Sequence, residues 1–198
     1  MAARTPGTVI GRAGGSLAGA AQFGQAGKVG ASGEARTARL LAQLAATDGG
    51  PTVIHDVRIP IPGFTANIDH VVISGREITL LDTKVWRDGF YWTLGGVTRR
   101  GLEAAPHTDK QTLGTGVNGI GRMLRNMGVP HRFRRSVLVV WPGSRDAAGP
   151  NLTFYRPRDA VAIVARDEAA TARRLTRLTG SRPADPQLVS AVSRILYV

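Results

Sequence analysis

The sequence contains no cysteine and no long apolar run. The first absence excludes disulfide bonds and thiolate metal sites, and it fits a reducing compartment. The second excludes membrane-spanning helices, because no stretch approaches the roughly 18 apolar residues that such a helix needs. The N-terminal region also lacks the compact apolar segment of a signal peptide. We therefore expect a soluble, cytoplasmic protein without membrane insertion.

Lysine is scarce although the chain is strongly basic. Of 26 Lys and Arg residues only Lys28, Lys84 and Lys110 are lysine, and the formal net charge is +12. A charge of this size favours polyanionic partners, with nucleic acid first among them. The alternative explanation is a coding bias toward Arg and Ala. An acidic membrane surface is less favoured, because the basic residues are scattered along the chain rather than gathered in one run.

The length of 198 residues is sufficient for one domain with a substantial core. Residues 1–27 are rich in Gly, Ala and small polar residues and show no hydrophobic period, so we expect a flexible tail. A single domain is expected over residues 28–198. The sequence leaves the oligomeric state open.

Hydrophobic periodicity predicts helices that alternate with strands. Helices are predicted over residues 33–46, 109–127, 168–178 and 186–196, and strands over 52–59, 67–75, 77–86, 90–94, 97–100, 135–141, 152–155 and 160–164. The run at 135–141 is apolar almost throughout, as expected of a strand that is covered on both faces. This order of elements predicts an α/β sandwich around a mixed sheet.

Charged residues interrupt the apolar pattern near the end of the predicted strand 77–86. Alternation with period 2 places Asp82 and Lys84 on the apolar face of that strand, and Asp69 on the preceding strand could lie beside Asp82. Two carboxylates and a lysine that converge on a sheet surface are the ingredients of a divalent-metal site. An exposed ion pair on an edge strand is the alternative. Apolar neighbours on both sides argue against an edge, and the chain elsewhere uses Arg where a plain positive charge suffices.

Three short motifs at this spacing resemble a known family. They are Gly33-Glu34 at the start of a helix, NIDHVV at 67–72 and LDTK at 81–84, with Gln111 near the start of the next helix. Together they resemble the NERD (nuclease-related) domain, a family of the PD-(D/E)XK nuclease-like fold. The resemblance implies a restriction-endonuclease-like α/β/α sandwich with a central mixed sheet. One position departs from the family, which usually has Glu where this chain has Asp82, and the shorter side chain could shift a bound metal.

The resemblance implies a metal-dependent nuclease that hydrolyses phosphodiester bonds, with DNA as the expected substrate. Mg²⁺ is the expected ion and Mn²⁺ the alternative, held by Asp69, Asp82 and the backbone carbonyl of Thr83. Lys84 would orient the attacking water or hold the phosphate. Glu34 would hold a metal-bound water or a second ion. The expected catalytic residues are thus Glu34, Asp69, Asp82, Lys84 and Gln111, the last of which would hydrogen-bond to substrate or backbone.

Contacts to the nucleic acid are expected from basic and aromatic residues that follow the motif: Arg99, Arg100, Arg122, Arg125 and Trp92. For the aromatic residues Trp86, Tyr91 and Trp92, packing in the core or in a hairpin is an equal alternative to stacking on unpaired bases. The sequence leaves two alternative functions open. One is a nuclease-fold module that binds nucleic acid without cutting it, and the other is an interaction domain of a larger complex.

Overall fold

A computed structural model describes residues 5–14, 24–105, 108, 111–144 and 148–196, without the side chains of residues 24–28. Strands are β1 (Val9–Ile10), β2 (Thr52–Arg58), β3 (Asn67–Ser74), β4 (Glu77–Trp86), β5 (Gly89–Leu94), β6 (Val97–Arg100), β7 (Glu103–Ala104), β8 (Arg132–Phe133), β9 (Ser136–Pro142), β10 (Pro150–Phe154) and β11 (Ala160–Val164). Helices are α1 (Gly24–Ala45), α2 (Thr112–Asn126), α3 (Glu168–Thr179) and α4 (Pro186–Ser193).

The main sheet is mixed and has β4 near its centre. Its strand order is β1-β2-β3-β4-β9-β11, and the short β8 pairs with the beginning of β4. Strand β3 is antiparallel to both β2 and β4, whereas β9 is parallel to both β4 and β11. Strand β4 is bonded to β9 along its charged end, whereas its pairs with β3 end at Leu81, directly before Asp82.

Two apolar cores, one on each face of the main sheet, give the layered architecture. One core joins the sheet to α2 and α4 through residues such as Leu80, Ile120 and Leu188. The other joins it to α1 and α3 through residues such as Leu41 and Leu175. Helices thus cover both faces of a mixed sheet, so the predicted α/β/α fold class is confirmed.

The predicted strands 67–75 and 77–86 form the hairpin of β3 and β4. Ser74 pairs with Glu77, and Val71 pairs with Leu80 across the antiparallel ladder. Gly75 lies in the turn with φ of 61°, a left-handed conformation that glycine adopts without steric cost. The predicted alternation also holds, because Leu80 packs in the core that contains α2 whereas Leu81 packs in the core that contains α1.

A second, four-stranded sheet was not predicted as a separate unit. Its order is β10-β5-β6-β7, and the β5–β6 hairpin turns at two glycines with positive φ, as the Gly-Gly signal indicates. The small sheet is fixed to the main one by aromatic packing. The ring of Tyr91 stacks on that of Trp86 at a centroid distance of 4.9 Å, and both rings are buried.

The N-terminal region differs from the predicted flexible tail. Val9 and Ile10 pair in parallel with β2, and α1 begins at Gly24 instead of Gly33. Sequence analysis missed the first feature because a two-residue strand has no measurable period. It missed the second because the glycines in the first turns of α1 each cost up to about 1 kcal/mol in a helix. Residues 1–4 and 15–23 of the predicted tail lie outside the described residues.

The second predicted helix also begins later, at Thr112 instead of residue 109. Residues 109 and 110 lie outside the described part of the chain, and Gln111 is the N-cap residue of α2. Among the helices that the structure describes, none is long and apolar enough to span a membrane.

Candidate active site

Asp82 and Lys84 form a close ion pair on the open face of β4. The Lys84 Nζ donates to Asp82 Oδ1 at 2.6 Å and to the backbone carbonyl of Thr83 at 3.1 Å. The Lys84 side chain remains 37% exposed, whereas that of Asp82 is 15% exposed. Burial alone would lower the pKa of Lys84, but the carboxylates of Asp82 and Asp69 outweigh it and raise that pKa. The ammonium group therefore keeps its charge at the edge of solvent.

Asp69 faces the same space from β3. Its Oδ2 accepts a hydrogen bond from the backbone N–H of Thr83 at 2.7 Å. Burial raises the pKa of Asp69 well above its ordinary value, and the nearby Asp82 carboxylate raises it further, against the opposing effect of Lys84. In an antiparallel pair, the N–H and C=O of one residue point toward the same neighbouring strand. The Thr83 carbonyl is therefore directed toward the side on which Asp69 lies.

An irregular backbone places Asp69 at this position. The β2–β3 ladder pairs His55 with His70 and Val57 with Ile68, and it omits the pair that lies between them. The omitted residue of β2 is Asp56, which has φ of 56°, the one positive φ at a non-glycine position among the described residues. This conformation is uncommon for such a residue. It interrupts the sheet beside Asp69.

Glu34 approaches the site from α1, close enough for Lys84 and Asp82 to affect its pKa. It lies in the middle of that helix, so the predicted place in a first turn is wrong, because α1 begins at Gly24. Burial raises the pKa of Glu34 to about 7, and Asp82 adds to the rise while Lys84 opposes it. Glu34 therefore shares an electrostatic environment with the two β-strand carboxylates.

Three carboxyl groups and one lysine surround the end of β4. Glu34, Asp69 and Asp82 influence one another, and Lys84 is the cation that acts on the raised pKa values. Within the described ranges, no three His, Asp or Glu side chains converge closely enough to ligate a single ion directly. Mg²⁺ needs only one or two carboxylates and keeps several waters. Asp69, Asp82 and the Thr83 carbonyl are the groups that would hold an ion of this kind.

A chain of neutral hydrogen bonds lies on the opposite face of β4. Trp141 Nε1 donates to Thr37 Oγ1 at 2.9 Å, and Thr37 donates to the Gly33 carbonyl at 3.3 Å. Since Thr37 has one proton, the bond of 3.0 Å from Thr83 Oγ1 must be donated by Thr83. The contacts continue from Thr83 to His70 Nε2 at 3.4 Å. They link α1 to β4 directly behind the charged motif.

The same reasoning shows which ring nitrogens of His55 and His70 carry a proton. Thr83 uses its proton on Thr37, so His70 Nε2 must donate to Thr83 and its Nδ1 must accept. The contact of 2.8 Å between His55 Nδ1 and His70 Nδ1 is then donated by His55. Burial lowers the pKa of both histidines. His70 thus points away from Asp69, as the alternation of the strand predicts, and both rings are neutral.

A cleft opens in front of Asp82 and Lys84. The start of α2 forms one wall with Gln111, and the segment between β10 and β11 forms another with Arg156 and Arg158. Thr93 from the inner face of the small sheet borders it too, as do Trp86, Leu138 and Tyr155. The cleft therefore lies between the two sheets.

The structure separates the predicted nucleic-acid residues into three places. Arg100 borders a groove next to Lys84 and pairs with Glu103 at 3.0 Å. Arg99 and Trp92 pair across the small sheet on its outer face. Arg122 and Arg125 are exposed on the last turns of α2, roughly 17–21 Å along the helix axis from Gln111. Arg122 and Arg125 thus lie away from the cleft in front of Asp82.

Arg156 and Arg158 are the cleft residues that sequence analysis missed. They follow a short strand far along the chain from the motif, and no pattern in the sequence connects them with Asp82. The run RPRD at 156–159, with two arginines around a proline, was the available signal. Only the folding of β10 against β5 brings this segment to the cleft.

Comparison with known proteins agrees with this geometry. Residues 29–112 match the family model described as NERD, nuclease-related domain, and this segment contains the site residues from Glu34 to Gln111. Comparisons with curated proteins and with solved structures gave no match. The resemblance to the nuclease-related domain, which belongs to the PD-(D/E)XK-like nuclease superfamily, is therefore confirmed over residues 29–112.

Proposed function

We propose that the protein is a metal-dependent nuclease that hydrolyses phosphodiester bonds of DNA. The observation that carries this proposal is the convergence of Asp69, Asp82 and Lys84 at the open end of β4, in a segment that matches the nuclease-related domain. The family supports the broad class of activity. The ion, the substrate and the roles below are inferred from the chemistry of the residues.

Asp69 and Asp82 would hold Mg²⁺, or Mn²⁺ as the alternative, together with the Thr83 carbonyl. Such an ion supplies a bound water of lowered pKa and neutralises charge that develops on the phosphate. The raised pKa of Asp69 supports this assignment. Burial and the neighbouring Asp82 carboxylate make ionisation of Asp69 unfavourable, and a bound cation would offset both effects. The hydrogen bond from the Thr83 N–H holds Asp69 in place.

Lys84 would act on the phosphate or on the attacking water. Its Nζ has three N–H donors, of which the contacts to Asp82 and Thr83 use two. The third is available to an oxygen atom in the cleft. A positive charge fixed beside the phosphate stabilises negative charge as it forms in the transition state.

Glu34 and Gln111 would position groups at the margins of the site. The pKa of about 7 at Glu34 lets the carboxyl accept or release a proton near neutral pH, as suits a group that holds a water molecule. Gln111 borders the cleft at the start of α2 and has an amide that can donate to a phosphate oxygen and accept from a sugar.

The arginines of the cleft would hold the phosphate backbone. Arg156 and Arg158 face the space in front of Asp82, and Arg100 lies beside Lys84 on the adjoining groove. Guanidinium groups bind phosphates in a bidentate manner. The net charge of +12 also attracts a polyanion over longer distances.

The test is a cleavage assay on single-stranded and double-stranded DNA and on RNA, with Mg²⁺, with Mn²⁺ and with a chelator. We expect DNA cleavage that requires the ion and is lost in Asp82→Asn. An Arg173→Gln variant, changed on the exposed outer side of α3, is the matched surface control and should cut normally. Cleavage that persists in chelator and in Asp82→Asn would contradict the proposal.

A nuclease-fold module that binds nucleic acid without cutting is the second candidate. The observation that favours it is the contact of 2.6 Å between Lys84 and Asp82, in which the lysine already neutralises the carboxylate. The family usually has Glu at the position of Asp82, and this departure also favours the binding-only candidate. Binding without cleavage of any substrate in either ion would establish this candidate.

A further inference from the structure

The outer face of the small sheet exposes large apolar side chains. Phe154 is 57% exposed, Leu94 73%, Val97 51% and Phe90 42%, and these residues lie on three strands of the one sheet. Leu102 is 90% exposed but lies in the turn between β6 and β7, apart from the strands of this face. Contiguous exposed apolar surface of this kind marks interaction sites in soluble proteins.

Strand pairing shows that these residues share one face. Phe90, Trp92 and Leu94 alternate along β5 with the inward-facing Tyr91 and Thr93. Across the β5–β6 ladder, Trp92 pairs with Arg99 and Leu94 pairs with Val97. Phe154 reaches the same face from β10, since its ring lies 5.8 Å from that of Phe90. We call the face formed by Phe90, Trp92, Leu94, Val97, Arg99 and Phe154 the aromatic face.

Three aromatic rings and one arginine make the aromatic face suited to unpaired bases. Phe154 is in register with Trp92, so the rings of Phe90, Phe154 and Trp92 are neighbours. Trp92 is held by a bond of 2.8 Å from its Nε1 to the Gly101 carbonyl. Arg99 Nη1 donates to the Leu102 carbonyl at 2.9 Å, which anchors the guanidinium beside the rings. Its other donors remain for a phosphate.

We propose that the aromatic face binds a single strand of nucleic acid and guides it into the cleft. This inference deepens the proposed function, on which it rests, by naming an unpaired strand as the substrate. Bases stack on exposed aromatic rings whatever their sequence, and arginines on the same sheet bind the phosphates. A duplex keeps its bases paired and stacked and therefore gains less from this surface.

The path between the two surfaces is short. Phe154 lies on the aromatic face, whereas Arg156, two residues later, borders the cleft that contains Asp82. Thr93 and Trp92 are likewise neighbours on β5 that face the cleft and the aromatic face respectively. The strong positive charge of the chain opposes stacking of a second copy on this face and favours a polyanion.

The first measurement is the quenching of tryptophan fluorescence by an oligothymidylate, in the 198-residue protein without metal so that nothing is cut. Of the three tryptophans, Trp141 is fully buried and Trp86 is 5% exposed, which leaves Trp92 as the ring on the exposed sheet face. We expect strong quenching by the single strand and much less by a duplex of the same length. In Trp92→Phe the quenching should fall to the small part that Trp86 gives at the cleft, while affinity, measured by fluorescence anisotropy of a labelled strand, is largely kept.

The second measurement compares variants of exposed residues, which should all fold. Phe154→Ala should raise the Kd for the single strand by about fivefold or more, as expected for loss of one stacked base. Leu102→Ser is the matched control, because it removes a more exposed apolar side chain that has no ring. Its Kd should be unchanged.

Two results would overturn the inference. One is an unchanged single-strand Kd in both Phe154→Ala and Arg99→Gln. The other is a wild-type dimer in sedimentation that Leu94→Ser dissociates, which would show that a second copy covers the face. Failure of the proposed nuclease function is distinguishable, since the protein would then bind and be quenched by the single strand without cutting it in any ion. Normal cleavage with no effect of the variants on binding would refute only the proposal that the aromatic face binds a single strand.

Discussion

The two faces of β4 at Asp82-Thr83-Lys84 differ in charge, exposure and hydrogen bonding. On one face, Asp82 and Lys84 are charged and in contact with a cleft. On the other, Thr83 is 4% exposed and belongs to a chain of neutral hydrogen bonds that includes Thr37 and His70. Three consecutive residues therefore present a charged surface to the cleft and a hydrogen-bonded support behind it.

This difference shows how the fold keeps a charged motif in a sheet. Charges that are buried without compensation cost several kcal/mol each, so they are placed where water or a ligand can reach them. The rear face instead uses groups that satisfy one another without net charge. Because Thr37 and Glu34 are on the same helix, the neutral chain also fixes the helix that brings Glu34 to the charged side.

The largest effect should follow from a change on the charged face. Asp82→Asn keeps the size of the side chain and removes the charge that would hold the ion. Hydrolysis should fall about a thousandfold or more, because the ion supplies several kcal/mol of transition-state stabilisation. DNA binding should survive or tighten, since one negative charge leaves the cleft. Single-turnover cleavage and binding in chelator measure the two effects separately, and equal loss of both would contradict this division.

Replacement of the lysine by another cation tests whether its shape matters. Lys84→Arg preserves the charge, but a planar guanidinium cannot take the place of a compact ammonium beside one water. We expect cleavage to fall about a hundredfold, a size typical for the loss of one oriented donor, with DNA affinity nearly unchanged. Arg158→Lys is the reciprocal control and should affect affinity more than the cleavage step. If Lys84→Arg cuts as well as the parent, Lys84 is only a charge.

A change on the neutral face should affect stability and leave the charges in place. Thr37→Val removes the hydroxyl that accepts from Trp141 and Thr83, so two buried donors lose their partner. The free energy of unfolding should fall by about 1–3 kcal/mol. Thr176→Val on α3, which loses a single bond to the Ala172 carbonyl, is the matched control with a smaller loss. Denaturant unfolding measures both, and equal losses would show that the chain of bonds has no special role.

One face of β4 was more predictable from the sequence than the other. The charged face was predictable because Asp82 and Lys84 interrupt an apolar alternation, and their spacing resembles a known family. The neutral face was not, since Thr37, Thr83 and Trp141 are ordinary residues whose contacts arise only when α1 packs on the sheet. Local periodicity reports which way a side chain points. It carries no information about a partner that lies dozens of residues away.

The same limit explains the errors in the fold. The main strands and the α/β class follow from alternation within 67–86 and from the apolar run at 135–141. The separate small sheet depends on β10 pairing with β5, which are about 60 residues apart, and no local signal encodes that pairing. Arg156 and Arg158 were missed for this reason.

The smallest expected effect is a pH dependence of opposite sign on the two faces. Burial raises the pKa of Glu34 from 4.5 to about 7, so the folded protein keeps a proton in this interval that the unfolded chain releases. The free energy of unfolding due to this group therefore falls as the pH rises from 4.5 to 7. His55 and His70 act oppositely. Their pKa values are lowered from 6.5, so the unfolded chain binds protons that the folded protein does not, and stability falls as the pH drops below 6.5.

Glu34→Gln separates the two contributions, since it removes the carboxyl and leaves both histidines unchanged. In metal-free buffer the variant should lose less stability than the parent between pH 4.5 and 7, and both should lose it alike as the histidines are protonated in the unfolded chain. Denaturant unfolding at a series of pH values measures this difference. Because the Glu34 side chain is partly exposed, water screens its interactions, and the effect should be smaller than that of Thr37→Val. Parallel pH profiles for parent and variant would mean that Glu34 ionises normally and does not share the environment of Asp69 and Asp82.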